Sequence, residues 1–320
     1  MFVYKQKTST KTGVIESGTG ALTALDPPTS RRQYRAAMPD DRAELPPIDR
    51  AVFAARYGPR ALVAGGAAGM GAEYCRQIAA AGIDLVILDR DEAGLDATAA
   101  ELRSARDAVD VVTAVVDLGQ PPERLRDAVQ RVVGDLEIGL LVANAAWSPV
   151  GPFLETDLGS LMRAIDINCR APVVLVHELG ARMAARGRGG IIVMSSLAAE
   201  TGTAQVALYS ATKAFDLVLA EGLWYELRDR GVDVIAIRPG STRTPGWQST
   251  QPASGELRGV MEPADVVRDA LAALGTTPSI AAGSANRAAE AMFRSMARRD
   301  VIELMSGITS QLVPPDAPPA

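Results

Sequence analysis

Tyr209 and Lys213 stand four residues apart in Tyr209-Ser210-Ala211-Thr212-Lys213, within a stretch of helical periodicity, so the two side chains share one helix face. A free phenol has a pKa of about 10 and is a poor base at neutral pH. A neighbouring ammonium favours the phenolate and turns tyrosine into a usable proton donor or acceptor. This spacing is common on surface helices, so its meaning depends on its companions. Ser196 closes the apolar run Ile191-Ile192-Val193-Met194-Ser195-Ser196, 13 residues before Tyr209, where its hydroxyl can hydrogen-bond a substrate carbonyl. Asn168 lies in the helical stretch that precedes that run.

A second group reads as a phosphate site. Gly65, Gly69 and Gly71 form G-x-x-x-G-x-G, with Met70 between the last two, directly between a strand pattern and a helix pattern. Glycines there let the backbone turn sharply and approach a pyrophosphate, while the helix N-terminus supplies N–H donors and a favourable dipole. Asp89 ends the next strand pattern, 24 residues beyond Gly65. A carboxylate at that place accepts the ribose hydroxyls of an adenosine and repels a 2′-phosphate. Ala68 adds no positive charge from the turn, so the expected cofactor is NAD. Arg90 leaves NADP open, since a guanidinium beside the site can hold the extra phosphate. Asp117, followed by Leu118 at the third strand end, can orient the adenine amine or simply form a turn.

Other chemistries are excluded by what is scarce. His177 is the single histidine and lies in an apolar helical stretch, so a zinc site built on several imidazoles is ruled out, and no metal is expected. A Ser-His-Asp hydrolase would need a G-x-S-x-G turn, and none occurs. Cys75 and Cys169 read as reduced, part-buried residues of a chain without disulfides. The net charge of −5, with no basic stripe, argues against nucleic acid. No apolar run approaches the roughly 20 residues that span a bilayer. The first residues carry Lys5, Lys7 and Lys11 without an apolar block behind them, unlike a secretory signal, and a cytoplasmic location is expected.

The elements that must position these groups alternate. Short apolar runs at 61–64, 85–88, 111–116, 140–143, 191–194 and 234–237 are separated by helical patterns at about 70–81, 92–105, 121–133, 156–186 and 206–230. Near-continuous apolar strands belong to a parallel sheet covered on both faces. The expected fold is therefore α/β, a Rossmann-type doubly wound parallel sheet flanked by helices, in one domain at 59–300 with ligands beyond the strand carboxyl ends. Residues 1–58, with Pro27, Pro28, Pro39, Pro46 and Pro47, read as a flexible or arm-like extension containing a short helix near 48–57. A loop at about 241–262 reads as a substrate lid, helices follow near 263–274 and 285–298, and 301–320 reads as a tail.

Taken together these pieces resemble the short-chain dehydrogenase/reductase superfamily over about residues 59–285. The likeness rests on the glycine turn, on Ala143-Asn144-Ala145-Ala146, on Asn168, on Ser196 with Tyr209 and Lys213, and on Pro239-Gly240-Ser241-Thr242-Arg243-Thr244. It implies an NAD(P)-dependent oxidoreductase interconverting a secondary alcohol and a ketone. Tyr209 would exchange the proton and Ser196 would stabilise the substrate oxygen. Lys213 would hold the nicotinamide ribose and lower the Tyr209 pKa, and Asn168 would anchor a water relay. Asn144 would line the cofactor cleft, and the backbone from Pro239 and Gly240 through Thr242, helped by the Thr244 hydroxyl, would dock the carboxamide. Trp147 and Trp247 are candidate substrate walls, and the long helices imply a homodimer or homotetramer.

The family usually has Thr where Ala64 stands and Asn where Ala143 stands. Losing one partner of a buried hydrogen bond costs about 1–3 kcal/mol, whereas losing both can be nearly neutral. The expectation is a compensated loss that leaves catalysis intact. The alternative is a catalytically weak dinucleotide-binding regulatory protein of the same fold, for which the two alanines are the only support.

Overall fold

The computed structural model describes residues 45–105, 109–250 and 259–310. The extension up to residue 44, the middle of the expected lid at 251–258 and the last ten residues of the expected tail lie outside the described residues.

The first half of the sheet is built from β1 (Arg60–Ala64), β2 (Asp84–Asp89), β3 (Val111–Val115) and β4 (Ile138–Ala143). They are joined by α2 (Gly69–Ala80), α3 (Glu92–Ser104) and α4 (Pro122–Val133), with α1 (Arg50–Tyr57) ahead of β1. A helical stretch then runs through α5 (Leu158–Ile165), a π turn (Asp166–Arg170) and α6 (Ala171–Arg186) to β5 (Gly189–Met194). After a 3-10 turn (Leu197–Glu200) come α7 (Ala207–Leu227), a short 3-10 turn (Arg228–Arg230) and β6 (Val232–Arg238). The chain closes with α8 (Pro245–Gln248), α9 (Pro263–Ala273), β7 (Ser279–Ala281), α10 (Ser284–Ser295) and α11 (Arg298–Thr309).

Among the described residues seven strands form one parallel sheet, in the order β3-β2-β1-β4-β5-β6-β7. The order reverses between β1 and β4, and a crevice opens at such a switch point beyond the strand carboxyl ends. Side chains alternate across each strand. Ala61 and Val63 therefore join Tyr74, Ile78 and Val266 in one core, while Leu62 and Ala64 join Leu125, Leu175 and Leu179 in the core on the other face. Asp91 and Asp157 cap α3 and α5 by accepting from Gly94 N and Ser160 N, which fixes where those helices begin. Among the described residues no helix is long and apolar enough to cross a membrane.

Four expectations are corrected. The boundary of the extension at residue 58 cuts through packed structure: Phe53 and Tyr57 of α1 are buried in the core, with Leu45 and Ile48 against it. The Tyr57 hydroxyl donates to Asp233 Oδ2 at 2.8 Å, and its ring lies where a Cβ on Gly190 would fall, 2.8 Å away. A polar sequence with only a few spaced apolar residues hid this docking. The boundary at 300 likewise fails, because α11 is seated on the loop after the 3-10 turn: Ser306 Oγ accepts from Ala204 N and Thr309 Oγ1 donates to Ala204 O. The single helix expected at 156–186 is broken by the π turn. The six-strand reading missed β7, three residues long and too short for a periodicity signal.

Candidate active site

The glycine turn works by leaving side chains out. Gly65 and Gly69 have φ of +85° and +55°, in the left-handed region that disfavours a Cβ. A Cβ on Gly71 would sit 1.8 Å from Gly65 O, and one on Gly65 would sit 2.7 Å from Ala145. The N-cap of α2 is Ala68, which makes no side-chain hydrogen bond to the first turn. The first N–H groups, from Gly69 through Gly71, therefore lack the usual capping side chain, as an anion site requires. The Thr244 methyl lies against Gly69, 3.1 Å from where its Cβ would be. This brings the segment after β6 over the turn after β1.

The adjoining cleft is lined by Gly65, Ala68, Asp89, Arg90, Asp117, Leu118, Asn144 and Trp147, joined by Val116, Ala145, Ala146 and Ile167. Asp89 is already well used: Oδ2 accepts from Ala67 N at 3.0 Å, and Oδ1 from Arg90 N at 2.7 Å and Asp91 N at 3.2 Å. A carboxylate has about four lone-pair sites, so roughly one remains for a further donor. Asp117 Oδ1 accepts from Gly119 N and from Arg163 at 3.0 Å, tying the β3 end to α5. Trp147 lies in this same cleft, with the Arg90 guanidinium 5.5 Å from its ring centroid. Trp147, a candidate substrate wall from the sequence, thus stands in the cleft that the expected cofactor residues also line. Its identity as an aromatic gave no hint of which side of the crevice it would face.

Tyr209 and Lys213 lie on α7 with the Lys213 ammonium 5.8 Å from the phenol ring centroid. Lys213 is almost wholly buried; its Nζ donates to Met194 O, the end of β5, at 2.7 Å and to Asp216 Oδ2 at 3.0 Å. Burial works against that charge. The attraction of Asp216, then that of Tyr209, overcomes it and raises the Lys213 pKa above the ordinary lysine value. For Asp216 burial dominates and pushes the carboxyl up, with Lys213 pulling it back. Ser195 Oγ donates to Lys213 O at 2.7 Å and locks α7 to the β5 end. Ser196 caps the 3-10 turn by accepting from Ala198 N at 3.1 Å, so its own O–H hydrogen stays available.

Asn168 joins the two halves. Its Oδ1 accepts from Trp147 N at 2.7 Å, and its Nδ2 donates to Trp147 O at 2.9 Å and to Thr212 Oγ1 at 3.0 Å. Both amide hydrogens are thereby spent on protein partners, and one Oδ1 lone pair is left for a water. Asn144 Nδ2 donates to Gly65 O at 2.8 Å. Hydrogen bonds and three residues of backbone thus run without a break from the glycine turn through Asn144, Trp147, Asn168 and Thr212 to Tyr209 O.

The segment after β6 is held from several sides. Pro239 O accepts from Leu197 N, Thr242 Oγ1 donates to Gly240 O, Thr242 bridges to Met261, and Thr244 Oγ1 caps α8 by accepting from Trp247 N. Trp247 lies on α8 with the Arg243 guanidinium 5.9 Å from its ring centroid. The sequence reading missed Asp216. A signal existed, since 209, 213 and 216 fall at helical spacing on one face, but a carboxylate on a helix ordinarily reads as solvated.

Comparison with known proteins places this arrangement. Residues 59–255 match the short chain dehydrogenase family. The chain belongs to that family. It is thus a nucleotide-binding oxidoreductase of Rossmann type. It is similar to a 7beta-hydroxysteroid dehydrogenase of Clostridium sardiniense, 28% identical over 253 residues, covering 78% of this chain and 95% of the relative. It also resembles a very-long-chain 3-oxoacyl-CoA reductase of Neurospora crassa, 32% identical over 185 residues, or 56% of this chain. The match spans 55% of that reductase's length, about half. Among solved structures, one of a 7beta-hydroxysteroid dehydrogenase superposes with a TM-score of 0.73 at 26% identity, covering 79% of this chain and 98% of the other. A short-chain dehydrogenase from Sphingobium yanoikuyae in complex with NADPH gives 0.63 at 29% identity, covering 75% and 97%.

Proposed function

We propose that this chain interconverts a secondary alcohol and a ketone, with Tyr209 as the acid/base, Ser196, Lys213 and Asn168 as its partners, and NAD as the cofactor. The observation that carries the reading is the linkage from Gly65 through Asn144 and Asn168 to the Tyr209 backbone, which holds an uncapped glycine turn and a tyrosine–lysine pair in one register. The residues fit a dinucleotide: a Cβ at Gly65 or Gly71 would fill the cradle, and the α2 N-terminus is without a side-chain cap. Gly65, Gly69, Met70 and Gly71 would hold the pyrophosphate, and Asp89 the adenosine ribose. Arg90, Asp117 and Leu118 would flank the adenine side, and Pro239, Gly240, Thr242 and Thr244 the nicotinamide side. When bound, that group supplies or receives the hydride.

In the oxidative direction Tyr209 takes the proton from the substrate hydroxyl. Ser196, whose hydroxyl hydrogen is uncommitted, donates to the same oxygen as charge develops there. An ammonium has three donors, and two of those on Lys213 are engaged, leaving one for the cofactor ribose. Asn168 fixes the loop that carries Trp147, and its remaining lone pair serves a water at the inner end of the site. Trp147 and Trp247 supply apolar walls, which agrees with relatives named for bulky hydroxysteroids and long acyl chains. We place the protein in the cytoplasm as a homodimer or homotetramer.

The test is turnover with NAD and NADP against a panel of secondary alcohols. Activity favouring NAD is expected, and Tyr209→Phe should lower kcat on the order of 10²–10⁴-fold while dinucleotide binding persists. Unchanged turnover in that variant would sink the assignment.

A further inference from the structure

The buried face of α7 carries more charge than proton exchange at Tyr209 requires. Lys213 and Asp216 are 2% and 1% exposed, on successive turns of the same face. A carboxylate so deeply buried is expensive unless it is compensated. Asp216 meets that demand in one way only. Its Oδ2 accepts from Lys213 Nζ at 3.0 Å, while its Oδ1 has no hydrogen-bond partner. Among the described residues no backbone N–H and no second cation shares the carboxylate, so its charge acts one-to-one on the lysine.

The surroundings offer little else. From the π turn, Cys169 faces the pair, and its thiol is pushed up to about 11 by burial first and then by Asp216, so it is neutral near pH 7. Asp166 and Arg170 on the same turn pair with each other, and Asn168 is uncharged. The β5 end contributes the Met194 carbonyl and the Ser195 hydroxyl. Glu200 of the 3-10 turn and Arg238 of β6 close on one another, with Glu290 of α10 joining them, and Asp233 of β6 is held by Arg56. Arg163 of α5 is turned to Asp117. Among the described residues, the charge beside the Tyr209 ring is that of Lys213, with Asp216 behind it.

We propose that Asp216 is a positioning residue that holds the Lys213 ammonium at the β5 end and offsets part of the positive charge it presents to Tyr209, thereby setting the acid limb of the pH–rate profile. The inference rests on the acid/base reading of Tyr209. Alcohol oxidation needs the phenolate, so the rate climbs with pH as the phenol ionises. An anion beside the lysine delays that ionisation, and its removal must bring it forward.

The experiment is the pH dependence of kcat/KM for alcohol oxidation in the full chain, Asp216→Asn and Asp216→Ser. Asn keeps a carbonyl oxygen for the ammonium, and Ser leaves room for a water beside it. The acid limb should move to lower pH by about one unit in both variants, the lower end of what one nearby charge does. Asp216→Glu, which keeps the charge, should leave it close to its original place. An unmoved limb in the Asn and Ser variants overturns the proposal, whatever happens to their melting temperatures. Loss of folding in both would make the pair a requirement of the fold and overturn it equally. Tyr209→Phe is measured alongside. If it retains turnover, the acid/base reading itself falls. If it is inactive while the limb of the Asp216 variants stays fixed, only the role of Asp216 falls.

Discussion

The glycine turn at 65–71 and the α7 face at 209–216 both sit at strand carboxyl ends, yet they are made in opposite ways. The turn functions through backbone alone, and any side chain at Gly65 or Gly71 would collide with the main chain of its neighbours. The α7 face functions through side chains, including a buried ammonium and a buried carboxylate that each need the other. The first region is intolerant of added volume; the second is intolerant of unbalanced charge. A site assembled from both is exposed to two unrelated kinds of damage.

Charge should prove the more sensitive. Lys213→Met strands Asp216 without a counter-charge and should cost about 3–5 kcal/mol, as breaking a buried pair does. The double variant Lys213→Met with Asp216→Leu should recover most of that in urea denaturation. Equal stability of the single and double variants would erase the distinction drawn between the regions. Next in size, Gly71→Ala should weaken dinucleotide binding by about 100-fold, which corresponds to roughly 3 kcal/mol, the upper range for overpacking. Calorimetric titration with NAD checks this, and binding within a few-fold of the unmodified chain would show the turn to be softer than its contacts suggest.

The smallest effect concerns a position between the two regions. Ala64 and Ala143 are register partners at the ends of β1 and β4, both nearly inaccessible. Ala64→Thr alone should lower stability by about 1–3 kcal/mol, because it buries a hydroxyl whose usual partner is also missing. Restoring both, Ala64→Thr with Ala143→Asn, should return the melting temperature to near its starting value. A gain from Ala64→Thr alone would contradict a compensated loss.

The same contrast explains what was legible in the sequence. Gly65, Gly69 and Gly71 could be read because backbone demands leave a residue-type signature at fixed spacing. The strands flanking them were legible because a sheet covered on both faces needs unbroken apolar runs. Tyr209 and Lys213 were legible as a spacing and Ser196 as a hydroxyl at a strand end, while the role of Asn168 came only through a resemblance. Asp216 stayed hidden because its burial is a tertiary fact: nothing local distinguishes a carboxylate facing a lysine in the core from one facing water. Phe53 and Tyr57 of α1 were missed for the converse reason, since two aromatics among arginines can dock on a sheet without making the segment look apolar. Asp89 lies between these cases. Its position was legible, but not the three backbone donors that occupy most of its acceptor capacity.

The π turn at Asp166–Arg170 has a consequence for heredity. Such a turn holds one residue more than the α-helix it interrupts, and that extra residue brings Asn168 round to the Trp147 backbone. Deleting a single codon there would turn one side of the helical stretch by about 100° about its axis, while Pro172, which has no N–H to give, would still interrupt the ladder of a continuous helix. The tie that Asn168 makes between the two halves of the cleft would be lost. Because α6 also carries Leu175, Leu179 and Met183 into the core, such a deletion would be felt by the fold and by the cleft together.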